Sequence, residues 1–119
     1  MIDYRKYIVW QLSHQLVFDV YKIICLFPKS EQFNRISQLN RAAVSIPTNI
    51  AQGCGRQTQK ELIRSLYISS GSAHELGYLI LLSSELHYID YAKSQKLLTE
   101  LSEIKKMLSS LISKIAPTL

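Results

Sequence analysis

Asn40-Arg41-Ala42-Ala43-Val44-Ser45-Ile46-Pro47-Thr48-Asn49-Ile50-Ala51-Gln52-Gly53-Cys54-Gly55-Arg56 is a helical pattern with a proline near its centre, and its reading decides the fold. A proline inside a helix removes one backbone donor and presses on the carbonyl four residues earlier, here that of Ala43, at about 3 kcal/mol. A short chain carries that penalty only where packing overrides it. The apolar side of the helix reads Phe33, Ile36, Leu39, Ala43, Val44, Ile46, Pro47, Ile50 and Cys54, and the opposite side reads Ser37, Gln38, Arg41, Ser45, Thr48, Asn49 and Gln52. That division is the pattern of a helix buried along one stripe. The sequence therefore predicts a helix from a Ser30 N-cap to about Gly53. It should continue through Pro47 but bend there, with the Ala43 carbonyl relieved by water or by Thr48. Gly53 and Gly55 then end it by supplying backbone freedom.

Working outward, three more helices emerge and no strand pattern persists. The first runs from about Tyr7 to Phe27, with Trp10, Ser13, Val17, Val20, Tyr21, Ile24 and Phe27 on its apolar side and Pro28 as its stop. Thr58-Gln59-Lys60-Glu61 reads as a capping box that opens a third helix, which extends to about His87. Leu62, Leu66, Ser69, Ala73, Leu76, Ile80 and Ser83 form its stripe, and the small residues Ser69 to Ala73 invite close approach of another helix. A mid-helix glycine is unfavourable against alanine, so Gly71 and Gly77 point to tight packing. Asp90 caps the fourth helix, whose seam of Leu97, Leu101, Ile104, Leu108, Leu111 and Ile115 ends before Pro117. The expected architecture is a single all-α domain over residues 1–119, an up-down-up-down antiparallel four-helix bundle with helix 2 kinked at Pro47.

Composition narrows the function. A charge of +5 and hydrophobic residues at 47% describe a globular, basic chain suited to polyanionic partners. No Asp or Glu stands between Gln32 and Lys60, whereas Arg35, Arg41, Arg56 and Lys60 all do, and Arg64 follows one turn later. These five cations, Arg35, Arg41, Arg56, Lys60 and Arg64, are the predicted nucleic-acid contacts, forming one electropositive surface with Arg41 joining across the loop. Binding of that kind needs cations at the right density and no base-reading module, and none is visible. Tyr4, Tyr7, Tyr88 and Tyr91 either stack on bases or pack the ends of the bundle, packing being the commoner use.

Enzymatic chemistry finds no footing in the sequence. Gln11, Gly71 and Ser84 precede the three histidines by three residues, so no Glu-x-x-His metal pair exists. His74-Glu75 begins a zinc-protease motif, but Tyr78 stands where its second histidine belongs. Gly53-Cys54-Gly55 lacks the spacing and the lysine of a phosphate-binding loop. The chain thus reads as a non-enzyme without metal or cofactor. Cys25 and Cys54 lie in apolar helical surroundings and read as reduced, buried thiols of a cytoplasmic protein, a disulfide being the less common alternative. Gln11, His14 and Asp19 interrupt the apolar stretch after Arg5 and Lys6, so no secretory leader or membrane span is expected.

Beyond Gly77 the third helix is apolar nearly all round, in Tyr78-Leu79-Ile80-Leu81-Leu82. A helix without a polar face is usually covered on every side. Tyr78, Leu79, Leu81 and Leu82 are accordingly the predicted contact between subunits.

The chain resembles a family of small bacterial four-helix bundles, the 23S rRNA intervening-sequence or S23-like proteins. The likeness is sharpest over Arg41-Ala42-Ala43-Val44-Ser45-Ile46-Pro47-Thr48-Asn49-Ile50-Ala51 with Gly53 and Arg56, and extends to Trp10, Phe27-Pro28, Gly71-Ser72 and Glu75-Leu76. Gln52 stands where the family usually has Glu, and Asn40 where it often has Arg. The resemblance implies a homopentamer without enzymatic activity or cofactor. It also implies kinship with the accessory variability proteins of diversity-generating retroelements, which bind nucleic acid and a reverse transcriptase. Two functions follow as expectations: a nucleic-acid-binding accessory protein, most naturally for RNA, or a scaffold docking a protein such as a reverse transcriptase.

Overall fold

The computed structural model describes residues 2–118, with the side chain of Thr118 undescribed. Helices α1 (Ile8–Ile24), α2 (Ser37–Cys54), α3 (Gln59–Glu85) and α4 (Tyr91–Ile115) account for most of it. Each packs against the two others adjacent in a closed ring, α1 on α2, α2 on α3, α3 on α4 and α4 on α1. The result is an antiparallel bundle 46 × 23 × 20 Å in extent. Among the described residues there is no strand. No helix among them is long and apolar enough to cross a membrane.

The cap chemistry follows the sequence at two of three places. Thr58 Oγ1 accepts the amide of Glu61 at 3.1 Å, and Asp90 Oδ1 accepts that of Lys93 at 2.8 Å. Each satisfies one of the amides that open a helix with no partner of their own. Ser30 does not cap α2. The chain instead passes from Pro28 through a 3₁₀ turn, Lys29–Glu31, and a π-helical turn, Gln32–Ile36, before α2 begins. A π turn inserts an extra residue, so a three-residue step no longer returns to the same face. Phe33, expected in the core, is 90% exposed for that reason. Tyr21 and Val44 are also exposed, at the margins of their apolar sides.

Helix α2 is unbroken through Pro47, which is buried. It packs closely on α3, at the small residues of that helix. Ser69 Oγ donates to the Ile46 carbonyl at 2.8 Å, and the Ser45 and Ser72 hydroxyls lie 2.7 Å apart. Asn49 Nδ2 donates to the Ser45 carbonyl at 2.8 Å. Lower along the same contact, a Cβ placed on Gly53 would lie 2.8 Å from Ser65 Cβ. Gly53 therefore serves close approach. Neither it nor Gly55 takes a positive φ, which corrects the backbone-freedom reading. Gly71 is the converse: a Cβ there would meet nothing within 4 Å, so no packing inside the chain requires it.

The α3 stripe Leu62, Leu66, Ser69, Ala73, Leu76, Ile80 and Ser83 is buried throughout. On α4, Leu97, Leu101, Ile104 and Leu108 are buried, but at the last turns the core takes Ile112 and leaves Leu111 and Ile115 half-buried. A straight helix drifts about 20° per heptad from a strict seven-residue repeat, enough to pass the contact to the next residue. Helix α3 ends two residues earlier than expected, where His87 adopts φ 66°. The Tyr88 amide reaches the Ser83 carbonyl at 2.9 Å and the His87 amide the Ser84 carbonyl at 3.0 Å. These paired bonds close the helix in the manner usually given to glycine.

Candidate nucleic-acid interface

The antiparallel topology brings the start of α1, the end of α2, the start of α3 and the end of α4 to one end of the bundle. Divided at the helix midpoints, that half holds Arg5, Lys6, Arg56, Lys60, Arg64, Lys105, Lys106 and Lys114 against Asp3, Glu61 and Glu103. The other half holds Lys22, Lys29, Arg35, Arg41, Lys93 and Lys96 against Asp19, Glu31, Glu75, Glu85, Asp90 and Glu100. Eight cations oppose three acids in the first half and six oppose six in the second, so the whole formal charge of +5 resides at one end.

Of the five predicted contacts, the structure gathers three. Arg56 and Arg64 line a cleft of about 380 Å³ with Asn49, Gln52, Glu61, Ser65 and Ile68. Lys60 stands one turn before Arg64 on α3 and is exposed. None of the three is ion-paired among the described residues, in contrast to Arg5 on Asp3 at 3.1 Å and Lys106 on Glu103 at 3.9 Å. Arg35 and Arg41 do not join them. Arg35 lies in the π-helical turn, about 30 Å along the rise of α2 from Arg56. It is half-buried, its Nε has no hydrogen-bond partner, and its charge acts on Tyr88. Arg41 is exposed but sits in the neutral half.

Lys6, Lys105, Lys106 and Lys114 belong to the charged end and were not singled out by sequence. The available signal was the topology itself, which places both chain ends beside the loop between α2 and α3. Lys6, Lys106 and Lys114 rim a second, apolar-floored groove of about 420 Å³ between α1 and α4.

The tyrosines chiefly pack. Tyr4 meets Trp10 edge-on at 5.0 Å. Tyr88 stacks on Phe27 at 5.3 Å and donates its hydroxyl to Glu31 at 2.7 Å, a bond that raises its pKa. Tyr7 is half-buried, and its hydroxyl is likewise shifted upward by burial. Tyr91 is exposed. Of the predicted subunit contact, Leu79 belongs to the chain's own core and Leu82 is half-buried, while Tyr78 at 61% and Leu81 at 45% are exposed. Cys54 is buried and burial pushes its thiol up, whereas Cys25 is exposed, contrary to expectation. Among the described residues no three His, Cys, Asp or Glu side chains gather as a metal site.

The sequence profile of the 23S rRNA-intervening sequence proteins matches residues 5–110, nearly the whole bundle. The chain belongs to the 23S rRNA-intervening sequence protein family. Among solved structures, a Bacteroides thetaiotaomicron protein of unknown function from the S23 ribosomal protein family superposes with a TM-score of 0.80. It is 25% identical, over 88% of this chain and 98% of that one. No curated protein matches the sequence. The four-helix fold of this 23S rRNA-intervening sequence family member is thus shared with a solved relative.

Proposed function

We propose that this family member is a non-enzymatic, oligomeric nucleic-acid-binding protein that holds RNA by the charged end of its bundle. The observation that carries the reading is the confinement of the +5 charge to one half, with Arg56 and Arg64 unpaired on a polar cleft and Lys60 exposed one turn before Arg64. Cations released from intramolecular pairing are free to neutralise phosphates, and the counterions they displace drive binding. The family's name, which links it to intervening sequences of 23S rRNA, favours RNA as the polyanion. Outward-facing Tyr78 and Leu81 supply an apolar contact between subunits, and a ring of five would repeat the charged end and raise avidity.

The test is a salt titration of binding to a labelled structured RNA, followed by fluorescence anisotropy. Wild type binds at low salt, with affinity falling steeply as salt rises. Replacing Arg56, Lys60 and Arg64 together by Gln lowers the magnitude of the salt slope by about 2–3, one phosphate contact for each charge. Replacing Arg41 by Gln, in the neutral half, leaves the slope unchanged. Failure of wild type to bind at low salt, or equal slopes for wild type and triple variant, would refute the proposal. A monomer mass in light scattering would remove the oligomeric part of it.

A further inference from the structure

We propose that the outer face of α3 from Arg64 to His74 is a stacking platform for unpaired nucleotides, so that the preferred ligand of the charged end is single-stranded. The inference rests on the nucleic-acid reading above and adds the class of nucleic acid to it.

Like Phe33, Tyr78 and Tyr91, Tyr67 is an exposed aromatic residue that the fold leaves without a ring partner, and of these it is the one that stands beside the cleft of Arg64 and Ile68. The residue is 61% exposed, and among the described residues its side chain meets no other ring and makes no hydrogen bond. Tyr4 and Tyr88, by contrast, are held by Trp10 and Phe27. Tyr67 stands one turn beyond Arg64, and Ile68 beside it, 48% exposed, forms a lip of the cleft that contains Arg56 and Arg64. An aromatic side chain therefore stands one turn from the unpaired guanidinium of Arg64, at the edge of the cleft that also holds Arg56. One turn further along the same side is Gly71. Among the described residues, no side chain beyond its immediate neighbours and no atom of another helix comes within 4 Å of where a Cβ would be, so the helix surface is bare there without any internal reason. A flat base or ribose can lie against the backbone at that position, bounded by Tyr67 on one side and His74 on the other. His74 Nδ1 is 2.8 Å from the Ser70 carbonyl. A carbonyl can only accept, so Nδ1 carries the hydrogen, and in the neutral ring Nε2 is the acceptor. Arg64 to His74 spans about 15 Å of helix.

A platform of this kind discriminates by strandedness. Duplex bases hide their faces against one another, whereas unpaired bases stack on aromatic side chains whatever their identity. Phosphates in the cleft and bases over Tyr67 and Gly71 would engage one strand together, whereas a duplex can use only the cations.

Two labelled probes separate the possibilities, an unstructured mixed-sequence oligoribonucleotide and an RNA duplex. Tyr67→Leu lowers single-strand affinity about tenfold, the loss of one stacked base, and leaves duplex affinity unchanged. Tyr67→Phe, which keeps the ring, stays within twofold of wild type. Gly71→Leu shifts two readouts in opposite directions: the unfolding midpoint rises with helix propensity, and single-strand affinity falls. Single-strand binding by Tyr67→Leu equal to wild type, with the triple Gln variant of Arg56, Lys60 and Arg64 still impaired on both probes, would overturn the platform and leave the nucleic-acid reading standing. Wild type binding neither probe at low salt would remove both. A smaller light-scattering mass for Gly71→Leu would identify the bare face as a contact between copies of the chain and overturn the platform.

Discussion

Replacing Gly53 by alanine tests whether α2 and α3 are held as closely as the structure places them. The new Cβ would lie 2.8 Å from Ser65 Cβ and 3.0 Å from Leu62 Cδ1. Carbon atoms settle at about 3.5–4.0 Å, so the overlap with Ser65 is on the order of 1 Å. Leu62 can turn its methyl aside, but both Cβ atoms are fixed to helix backbones and no rotamer relieves them. The helices must separate locally and strain the Ser69–Ile46 and Ser45–Ser72 hydrogen bonds one and two turns away. Overpacking of this size is unfavourable by about 1–3 kcal/mol, against which alanine recovers about 0.5–1 kcal/mol of helix propensity. The net loss is about 1–2 kcal/mol, or a midpoint lower by roughly 4–8 °C for 119 residues. Gly71→Ala is the matched control. With nothing near its Cβ, it gains about 0.5–1 kcal/mol. Both are read by thermal and urea unfolding under far-ultraviolet circular dichroism, at one fixed protomer concentration because subunit association would shift the midpoint. The double variant Gly53→Ala/Ser65→Gly removes the opposing Cβ and should recover about 1 kcal/mol beyond additivity. A Gly53→Ala protein as stable as wild type, or strictly additive effects in the double variant, would refute the close approach.

Three further outcomes follow from single residues. His87→Gly should stabilise by about 0.5–1 kcal/mol in the same unfolding assays, since a left-handed φ strains a residue bearing a Cβ and glycine adopts it freely. Burial, then the charge of Asp19 and a hydrogen bond with it, hold the Glu100 carboxyl above its ordinary value, with Lys96 opposing. The folded chain therefore keeps a proton that the unfolded chain has released, and the associated stability is full below the unfolded pKa and lost as pH rises through the folded one. Glu100→Gln should flatten that decline just above pH 4.5 and leave the variant the more stable at neutral pH, provided Lys22, Lys93 and Glu103 nearby are unchanged. An aromatic disulfide reagent should label Cys25 rapidly and Cys54 only on unfolding; two fast thiols in the native protein would contradict the burial of Cys54.

The helices were legible because their signals are local. The Thr58 and Asp90 caps and the Leu62-to-Ser83 stripe act within a turn or two and stand where the sequence puts them, whereas α1 closes at Ile24, three residues short of the Phe27 end expected before Pro28. Features that depend on what lies opposite were not legible. Gly53 reads in sequence as a helix end and Gly71 as a tight contact, yet it is Gly53 that faces Ser65 across a helix contact while a Cβ on Gly71 would meet no other helix. Phe33 was assigned to the core by counting through a segment that winds as a π turn. The basic surface suffered from the same limit. Arg35 and Arg56 are close in an acid-free stretch of sequence, but a helix carries them to opposite ends, while Lys6 and Lys114, remote in sequence, converge on the loop. No pattern within α3 distinguishes a tyrosine that packs from one that does not, so nothing in the sequence singles out Tyr67.

A rod some 46 Å long with all its net charge in one half is an electric dipole as well as a cation. In the field of any extended polyanion it feels a torque before it feels a contact, and it approaches end-on. Long-range orientation of this kind raises the fraction of encounters that are productive, and it fades as salt shortens the reach of the field. Molecules gathered along one strand would stand outward like bristles. Their neutral ends, carrying exposed Leu26, Phe33 and Tyr91, would then be presented together to the surrounding solution.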